Sequence, residues 1–282
     1  MILKEYRSSF TEALTGLYPQ TEIDTFFFLL MEEYLNFERV DIVLKSHFKI
    51  SSETLMLFNN ALEKLKEEKP IQYILGKTTF YGFPFLVNKN TLIPRPETEE
   101  LVTWIIEEAD KAKSLQILDI GTGTGCIPVS LAKELPNASL FAIDISNEAL
   151  KLAQQNAVLN KVTVHFVEKD ILKTEKLPQQ FDIIVSNPPY VRELEKVDIK
   201  NNVLENEPHM ALFVADDDPL IFYSKIADLA KNHLTKKGLL YFEINQYLAK
   251  ETVKMLRQKG FRNIDLKKDL FGNDRMIKCT FI

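Results

Sequence analysis

The chain has very little cysteine. Only Cys126 and Cys279 are present, far apart in sequence, which excludes a disulfide framework and fits a reducing cytosol. Histidine is equally sparse: His47, His165, His209 and His233 share no ligand spacing with one another or with the cysteines, so no metal site is expected. Long hydrophobic runs are missing too. Phe26 to Met31 is flanked by Asp24 and by Glu32-Glu33 and falls far short of the roughly 20 residues of a membrane span, and no basic leader with a cleavage site precedes it. Nor is there an excess of positive charge. Thirty-five Lys and Arg stand against 40 Asp and Glu, a net charge of −5, and the two signs nearly balance over residues 1–90, which gives non-specific nucleic-acid binding no support. No nucleophile elbow suggests a hydrolase, and no repeat or low-complexity tract interrupts the chain. These absences predict a cytoplasmic, unanchored monomer without a metal.

At 282 residues with 45% hydrophobic content, the chain is long enough for two domains with real cores. Leu3, Tyr6, Phe10, Ala13, Leu14 and Leu17 fall on one helical face that Pro19 ends. Thr21 is a candidate N-cap for a second helix through Leu35, and Ser51 or Ser52 for a third carrying Leu55, Phe58, Leu62 and Leu65. Residues 1–70 therefore read as a small helical bundle suited to substrate docking or to capping. Residues 71–93 read as a β-hairpin linker, with two β-rich pieces around Tyr81-Gly82. In Pro94-Arg95-Pro96-Glu97-Thr98-Glu99-Glu100 the prolines hold an extended entry and the acids load the first turn of a helix, yet Arg95 between two prolines has no such explanation.

Residues 94–282 alternate strand and helix. Strands are expected at 115–120, 139–144, 162–167, 181–186, 237–244, 262–266 and 274–281, with helices near 126–135, 147–159, 218–234 and 247–259. This alternation predicts an α/β fold with a doubly wound, mostly parallel seven-stranded sheet and ligand sites at the carboxyl ends of its strands.

The loop Gly121-Thr122-Gly123-Thr124-Gly125 follows the first of those strands, and Asp144 ends the next. Alternate glycines let backbone pass close to a ligand, and a carboxylate at the second strand end suits a ribose hydroxyl pair. A dinucleotide would want glycine where Cys126 stands, and the charge of Asp119 would sit badly beside a pyrophosphate. S-adenosylmethionine, with an ammonium and a sulfonium in place of phosphates, welcomes that charge. Past the third strand, Asp170-Ile171 offers an acceptor and an apolar wall for an adenine, although Asp170 also reads as a turn cap.

Asn187-Pro188-Pro189-Tyr190 is the sharper signal. An amide or aromatic amine nitrogen is a poor nucleophile because its lone pair is delocalised, so a methylating site must hold both N–H groups on acceptors. The Asn187 side-chain oxygen and the Pro188 carbonyl supply two, the prolines fix the direction of that carbonyl, and Tyr190 offers a flat surface for a planar guest. Methyl transfer from a sulfonium expels a neutral leaving group, so alignment and exclusion of water suffice without a strong base.

Together, Ile93-Pro94-Arg95-Pro96-Glu97-Thr98-Glu99, Asp119-Ile120-Gly121-Thr122-Gly123-Thr124-Gly125 and Asn187-Pro188-Pro189-Tyr190 resemble the family of peptide chain release factor glutamine N5-methyltransferases. The resemblance runs nearly end to end. It implies a class I S-adenosylmethionine-dependent methyltransferase in which Asp119, Gly121 to Gly125, Asp144, Asp170, Ile171 and Asn187 bind S-adenosylmethionine, releasing S-adenosylhomocysteine. It further implies that Asn187 to Tyr190 hold the glutamine of a Gly-Gly-Gln loop in a release factor, docked with help from the helical domain. The Asn-Pro-Pro-Tyr motif is also found in nucleic-acid base methyltransferases; a ribosomal-protein glutamine, a non-catalytic S-adenosylmethionine-binding protein and a dehydrogenase complete the alternatives. Two departures bear on loop conformation: Val214 to Leu220 replaces a glycine-containing turn, and Asn245 stands where glycine often follows Glu243-Ile244.

Overall fold

The computed structural model describes residues 1–281, which divide into two compact units, residues 1–76 with 200–206, and residues 77–199 with 207–281. The smaller unit contains α1 (Leu3–Leu14), α2 (Gln20–Leu35), α3 (Arg39–Leu44), α4 (Ser52–Lys66) and α5 (Ile71–Leu75). Its core is aromatic, with Tyr6 against Phe58 at 5.2 Å between ring centroids and Phe10 against Phe27 at 5.5 Å. Ser51 caps α4 by accepting from the Thr54 N–H. Helix α2 starts at Gln20 with Pro19 as its N-cap, so Thr21, the expected cap, lies inside the first turn; the fixed φ of Pro19 supplies the extended entry. The short α3 and α5 carry too few residues to show a periodic stripe in sequence.

The larger unit opens with the hairpin β1 (Lys77–Phe80) and β2 (Phe83–Leu86). Its two-residue turn puts Tyr81 and Gly82 at φ of 52° and 74°, the twist that suits an antiparallel ribbon. The Glu99 carboxylate accepts from the Tyr81 N–H at 2.8 Å and so steadies a conformation that costs a tyrosine energy. There follow α6 (Pro96–Glu108), β3 (Gln116–Ile120), α7 (Cys126–Glu134), β4 (Ser139–Asp144), α8 (Asn147–Leu159), β5 (Val164–Glu168) and β6 (Phe181–Ser186). After β7 (Val191–Arg192), the chain passes through α9 (Asn201–Leu204), which belongs to the smaller unit. It returns through α10 (His209–Leu212), β8 (Phe213–Val214), α11 (Ile221–His233), β9 (Leu234–Glu243), α12 (Ala249–Gln258), β10 (Phe261–Lys268) and β11 (Asp274–Phe281).

The main sheet has seven strands in the order β10-β11-β9-β6-β3-β4-β5, parallel except for β11, which runs against both neighbours. Alternate residues of the central strands feed two cores. Leu118, Ile120 and Ile184 pack toward α11 and α12, while Ile117, Ile183 and Val185 pack toward α6 and α7. This confirms the seven-stranded, mostly parallel sheet with an N-terminal helical bundle and a hairpin. Among the described residues no helix is long and apolar enough to cross a membrane.

The hairpin is sewn into the larger unit by Asn156 of α8 and by Asn160, which caps that helix. Asn156, fully buried, accepts from the Leu86 N–H at 2.7 Å and donates to the Leu86 carbonyl at 3.0 Å and to the Thr124 carbonyl at 2.9 Å. Asn160 donates to the Pro84 carbonyl at 2.8 Å. One buried amide thus ties the hairpin to the glycine loop. Replacing it with a similar-sized apolar residue, Asn156→Leu, leaves backbone groups of Leu86 and Thr124 without partners, and we expect a loss of about 1–3 kcal/mol in urea unfolding.

Candidate active site

The parallel register decides which residues meet. Ile120 at the end of β3 is level with Ile143 of β4 on one side and with Ser186 of β6 on the other. Gly121, Asp144 and Asn187 therefore leave the sheet side by side at its carboxyl edge. The Ser186 hydroxyl donates to the Ile120 carbonyl at 2.6 Å, and the Gly121 and Thr122 N–H groups donate to the Ile143 carbonyl at 2.8 and 3.1 Å.

Gly121, Gly123 and Gly125 have φ of 78°, 52° and 77°, so the loop needs glycine for its path. At Gly125 space matters as well: a Cβ there would lie 3.0 Å from the Ala153 Cβ of α8. Asp144 braces the loop from the next strand, its carboxylate accepting from the Gly123 N–H at 2.8 Å and from the Ser146 N–H at 2.9 Å.

These ends frame a cavity of about 360 Å³ with a largely apolar lining. Its walls include Gly121 to Thr124, Asp144, Asp170, Ile171, Asn187, Pro188 and Pro189, so most of the residues singled out in sequence are brought together. Asp170 does two things, lining the cavity and capping a turn through the Leu172 N–H at 3.0 Å. Among the described residues, no protein hydrogen bond reaches the Asn187 side-chain oxygen or the Pro188 carbonyl.

Three residues lie elsewhere. Gly125 is behind the cavity wall, packed on α8. Tyr190, expected as a flat platform, does not line the cavity; it packs against the core beneath α11 and its hydroxyl donates to the Glu243 carboxylate at 3.0 Å. Asp119 is wholly buried near the end of β3; neither carboxylate oxygen has a well-formed hydrogen bond, and only the Thr122 hydroxyl, itself otherwise unpartnered, stands close enough to favour the ionised form. Burial pushes the Asp119 carboxyl up to about 7. Two orphaned acceptors under a loop of backbone N–H groups are costly, and they fit a cationic ligand on the other side of that loop.

Sequence reasoning missed several participants. Arg95 bonds Glu207 at 2.6 Å, and the second Glu207 oxygen accepts from the Ile93 N–H at 3.1 Å. Glu207 is buried, and the segment it anchors continues into Pro208, Met210 and Ala211 of the cavity wall. No local pattern reveals this pair, because its members are more than a hundred residues apart. Thr98, also in the wall, accepts from the Asn187 Nδ2 at 3.2 Å and donates to Glu243 at 2.6 Å. The departures are harmless to the backbone. Asn245 has φ of −64° and caps the following turn by accepting from the Tyr247 N–H, and no residue of the Val214 to Leu220 loop has positive φ.

Comparison with known proteins agrees with this geometry. Residues 3–76 match the PrmC N-terminal domain model and residues 99–212 the methyltransferase small domain model. Over its whole length the chain is 59% identical to the release factor glutamine methyltransferase of Flavobacterium psychrophilum, with all of both chains covered. The chain belongs to the release factor glutamine methyltransferase family. The protein of that name from Bacteroides thetaiotaomicron is 41% identical, covering 95% of this chain and 96% of its own. Among solved structures, the hMettl16 catalytic domain in complex with an RNA hairpin superposes with a TM-score of 0.56 at 14% identity, covering 82% of this chain and 83% of that one; at this identity the likeness is one of fold.

Within this family member, the Arg95–Glu207 pair has a testable weight. Arg95→Ala leaves a buried carboxylate with a single partner, and we expect a loss of roughly 3 kcal/mol in the denaturant-measured stability of the enzyme, whereas a surface pair such as Lys151–Glu148 is worth under about 1 kcal/mol.

Proposed function

We propose that this protein transfers a methyl group from S-adenosylmethionine to the side-chain amide nitrogen, N5, of the glutamine in the Gly-Gly-Gln loop of a translation release factor, in the cytoplasm. The observation that carries this reading is the pair of open acceptors, the Asn187 side-chain oxygen and the Pro188 carbonyl, at the cavity wall beside the glycine loop. A primary amide has two N–H groups in one plane. Accepting from both points the nitrogen's remaining, out-of-plane density along one direction, and the stiff Pro188-Pro189 pair keeps that direction fixed.

S-adenosylmethionine supplies a methyl group on a sulfonium and leaves as neutral S-adenosylhomocysteine. Gly121 to Thr124 give its tail close backbone approach, Asp144 retains lone pairs for a ribose hydroxyl pair, and Ile171 with Asp170 borders the adenine end. Asp119 acts from beneath the loop as a negative charge toward the ammonium. The new N–C bond forms as the C–S bond breaks; the methylated amide nitrogen is then strongly acidic and gives one proton to water, while the Asn187 oxygen and the Pro188 carbonyl only hold the N–H groups in place. The family relatives bear the name of the release factor reaction, which favours a protein amide over a nucleobase, as does a net charge of −5.

Incubation with labelled S-adenosylmethionine, a release factor and its loop Gln→Ala variant should label only the former. Equal labelling of the two proteins rejects the assignment. Asn187→Ala is expected to lower kcat by about 100-fold or more in the same assay.

Asp119 gives a second measurement. Its folded carboxyl, raised to about 7 from 3.8, costs stability once it ionises; the folded state keeps the full benefit below pH 3.8 and loses it as pH rises through about 7. Asp119→Asn should therefore unfold at higher denaturant than the parent at pH 8, converge with it near pH 4, and bind S-adenosylmethionine more weakly at pH 8. Paired denaturation and calorimetric titrations check both directions.

A further inference from the structure

Beside Asn187 stand two buried polar side chains, Thr98 in the cavity wall and Glu243 behind it, outside the lining. Glu243, at the end of β9, is 1% exposed, and Thr98, in the first turn of α6, is 3% exposed. Burying a carboxylate costs several kcal/mol unless its surroundings repay it, so a plain helix-to-strand contact is a poor reason to keep one. The arrangement around it is directional. The Thr98 hydroxyl lies 2.6 Å from one Glu243 oxygen, the Tyr190 hydroxyl 3.0 Å from the other, and the Tyr223 hydroxyl donates to the Glu243 backbone carbonyl at 3.1 Å. Both carboxylate oxygens are thereby engaged and the group cannot turn.

A hydroxyl has one proton and an ionised carboxylate has none. Thr98 must spend its proton on Glu243, which leaves its oxygen only an acceptor for the Asn187 side chain 3.2 Å away. The Asn187 amide is then forced to present its nitrogen to Thr98 and its oxygen elsewhere. Packing cannot make this choice, because the two ends of an asparagine amide have nearly the same shape. The chemistry depends on it: a flipped amide would offer donors to an incoming amide that also offers donors.

We propose that Thr98 and Glu243 are positioning residues that fix the polarity of Asn187 through a one-way hydrogen-bond chain from the Asn187 amide to the Thr98 hydroxyl to the Glu243 carboxylate, so that Oδ1 alone faces the substrate. The inference rests on the amide-methylating reading of the site and adds what keeps that site pointed the right way. Tyr190 belongs to this chain as the second anchor of Glu243, which accounts for an aromatic hydroxyl at a position that does not line the cavity. The Thr98 of the Pro-Arg-Pro-Glu-Thr-Glu segment thereby acquires a role that its place in a helix start does not require.

The chain is also sensitive to protons. Burial raises the Glu243 carboxyl above the usual carboxylate range, opposed by the Thr98 and Tyr190 hydrogen bonds and by the charge of Arg275. The groups facing it are Glu97 and Thr98 of α6, Cys126 at the start of α7, Tyr190 after β6, Tyr223 of α11 and Arg275 of β11; the Cys126 thiol is held protonated by burial and brings no charge. Once protonated, Glu243 becomes a donor, Thr98 is free to donate to Asn187, and the polarity is no longer fixed.

Two substitutions and one spectroscopic signal test this. Thr98→Val keeps the shape and removes the hydroxyl; Thr98→Ser keeps the hydroxyl. With S-adenosylmethionine and a release factor, kcat of Thr98→Val should fall about 100-fold, while the KM for release factor and the Kd for S-adenosylmethionine stay within about threefold, and Thr98→Ser should retain at least about a third of the rate. The parent's kcat should fall on the acid side as Glu243 takes up its proton, and Thr98→Val should lack that limb. In protein labelled with ¹⁵N-asparagine and free of substrate, the Asn187 side-chain NH₂ should exchange slowly with solvent, at least about tenfold faster in Thr98→Val. The proposal is overturned if Thr98→Val keeps the parental kcat, if Thr98→Ser is as slow as Thr98→Val, or if the Asn187 exchange rate is the same in all three. A parent protein that leaves the release factor unlabelled yet protects the Asn187 NH₂ in a Thr98-dependent way rejects the substrate reading and supports the positioning chain.

Discussion

Three parallel strands that end level with one another are the constraint on which the rest of this enzyme depends. The pairings of Ile120 with Ile143 and with Ser186 fix the heights of three chain exits. A shift of one residue in either pairing would turn alternate side chains to the opposite face and separate the glycine loop from Asn187. The two cores on either side of the sheet hold that register, and the short Ser186–Ile120 hydrogen bond pins it at the edge where it counts.

Much of this was legible in sequence because the signals are local. Glycines at 121, 123 and 125 declare their backbone, and a carboxylate at Asp144 follows at the spacing a strand-helix-strand unit imposes. The hairpin announced itself through Tyr81-Gly82, where both residues do take positive φ. Asn187-Pro188-Pro189 could be read as a chemical device since two prolines remove backbone donors and stiffen the chain where a strand would simply turn away.

What escaped notice is long-range. Arg95 looked unexplained between its prolines because Glu207, its partner, is 112 positions away. Glu99 and Glu100 looked like mere dipole complements, yet one clasps the Tyr81 N–H and the other the Leu270 N–H. Tyr190 was read as a surface for a guest, and the fold turns it inward because Glu243 waits there. Asn156 was simply a polar residue in an amphipathic helix until the fold brought two distant carbonyls to it. In each case the side chain's type was visible, but its partner was chosen by topology.

The contact between Gly125 and Ala153 carries a consequence for how such a protein drifts through sequence space. Two independent restraints coincide at position 125, a left-handed backbone and a neighbour 3.0 Å from where a Cβ would sit. Even glycine at 153 would not lift the second, because the Ala153 Cα backbone atom lies 3.3 Å from the same point. Compensation is therefore closed, since no change at 153 licenses a side chain at 125. A larger residue at 153 would instead press on a loop whose geometry the site cannot give up, so the helix inherits the loop's immobility although it touches no reacting atom.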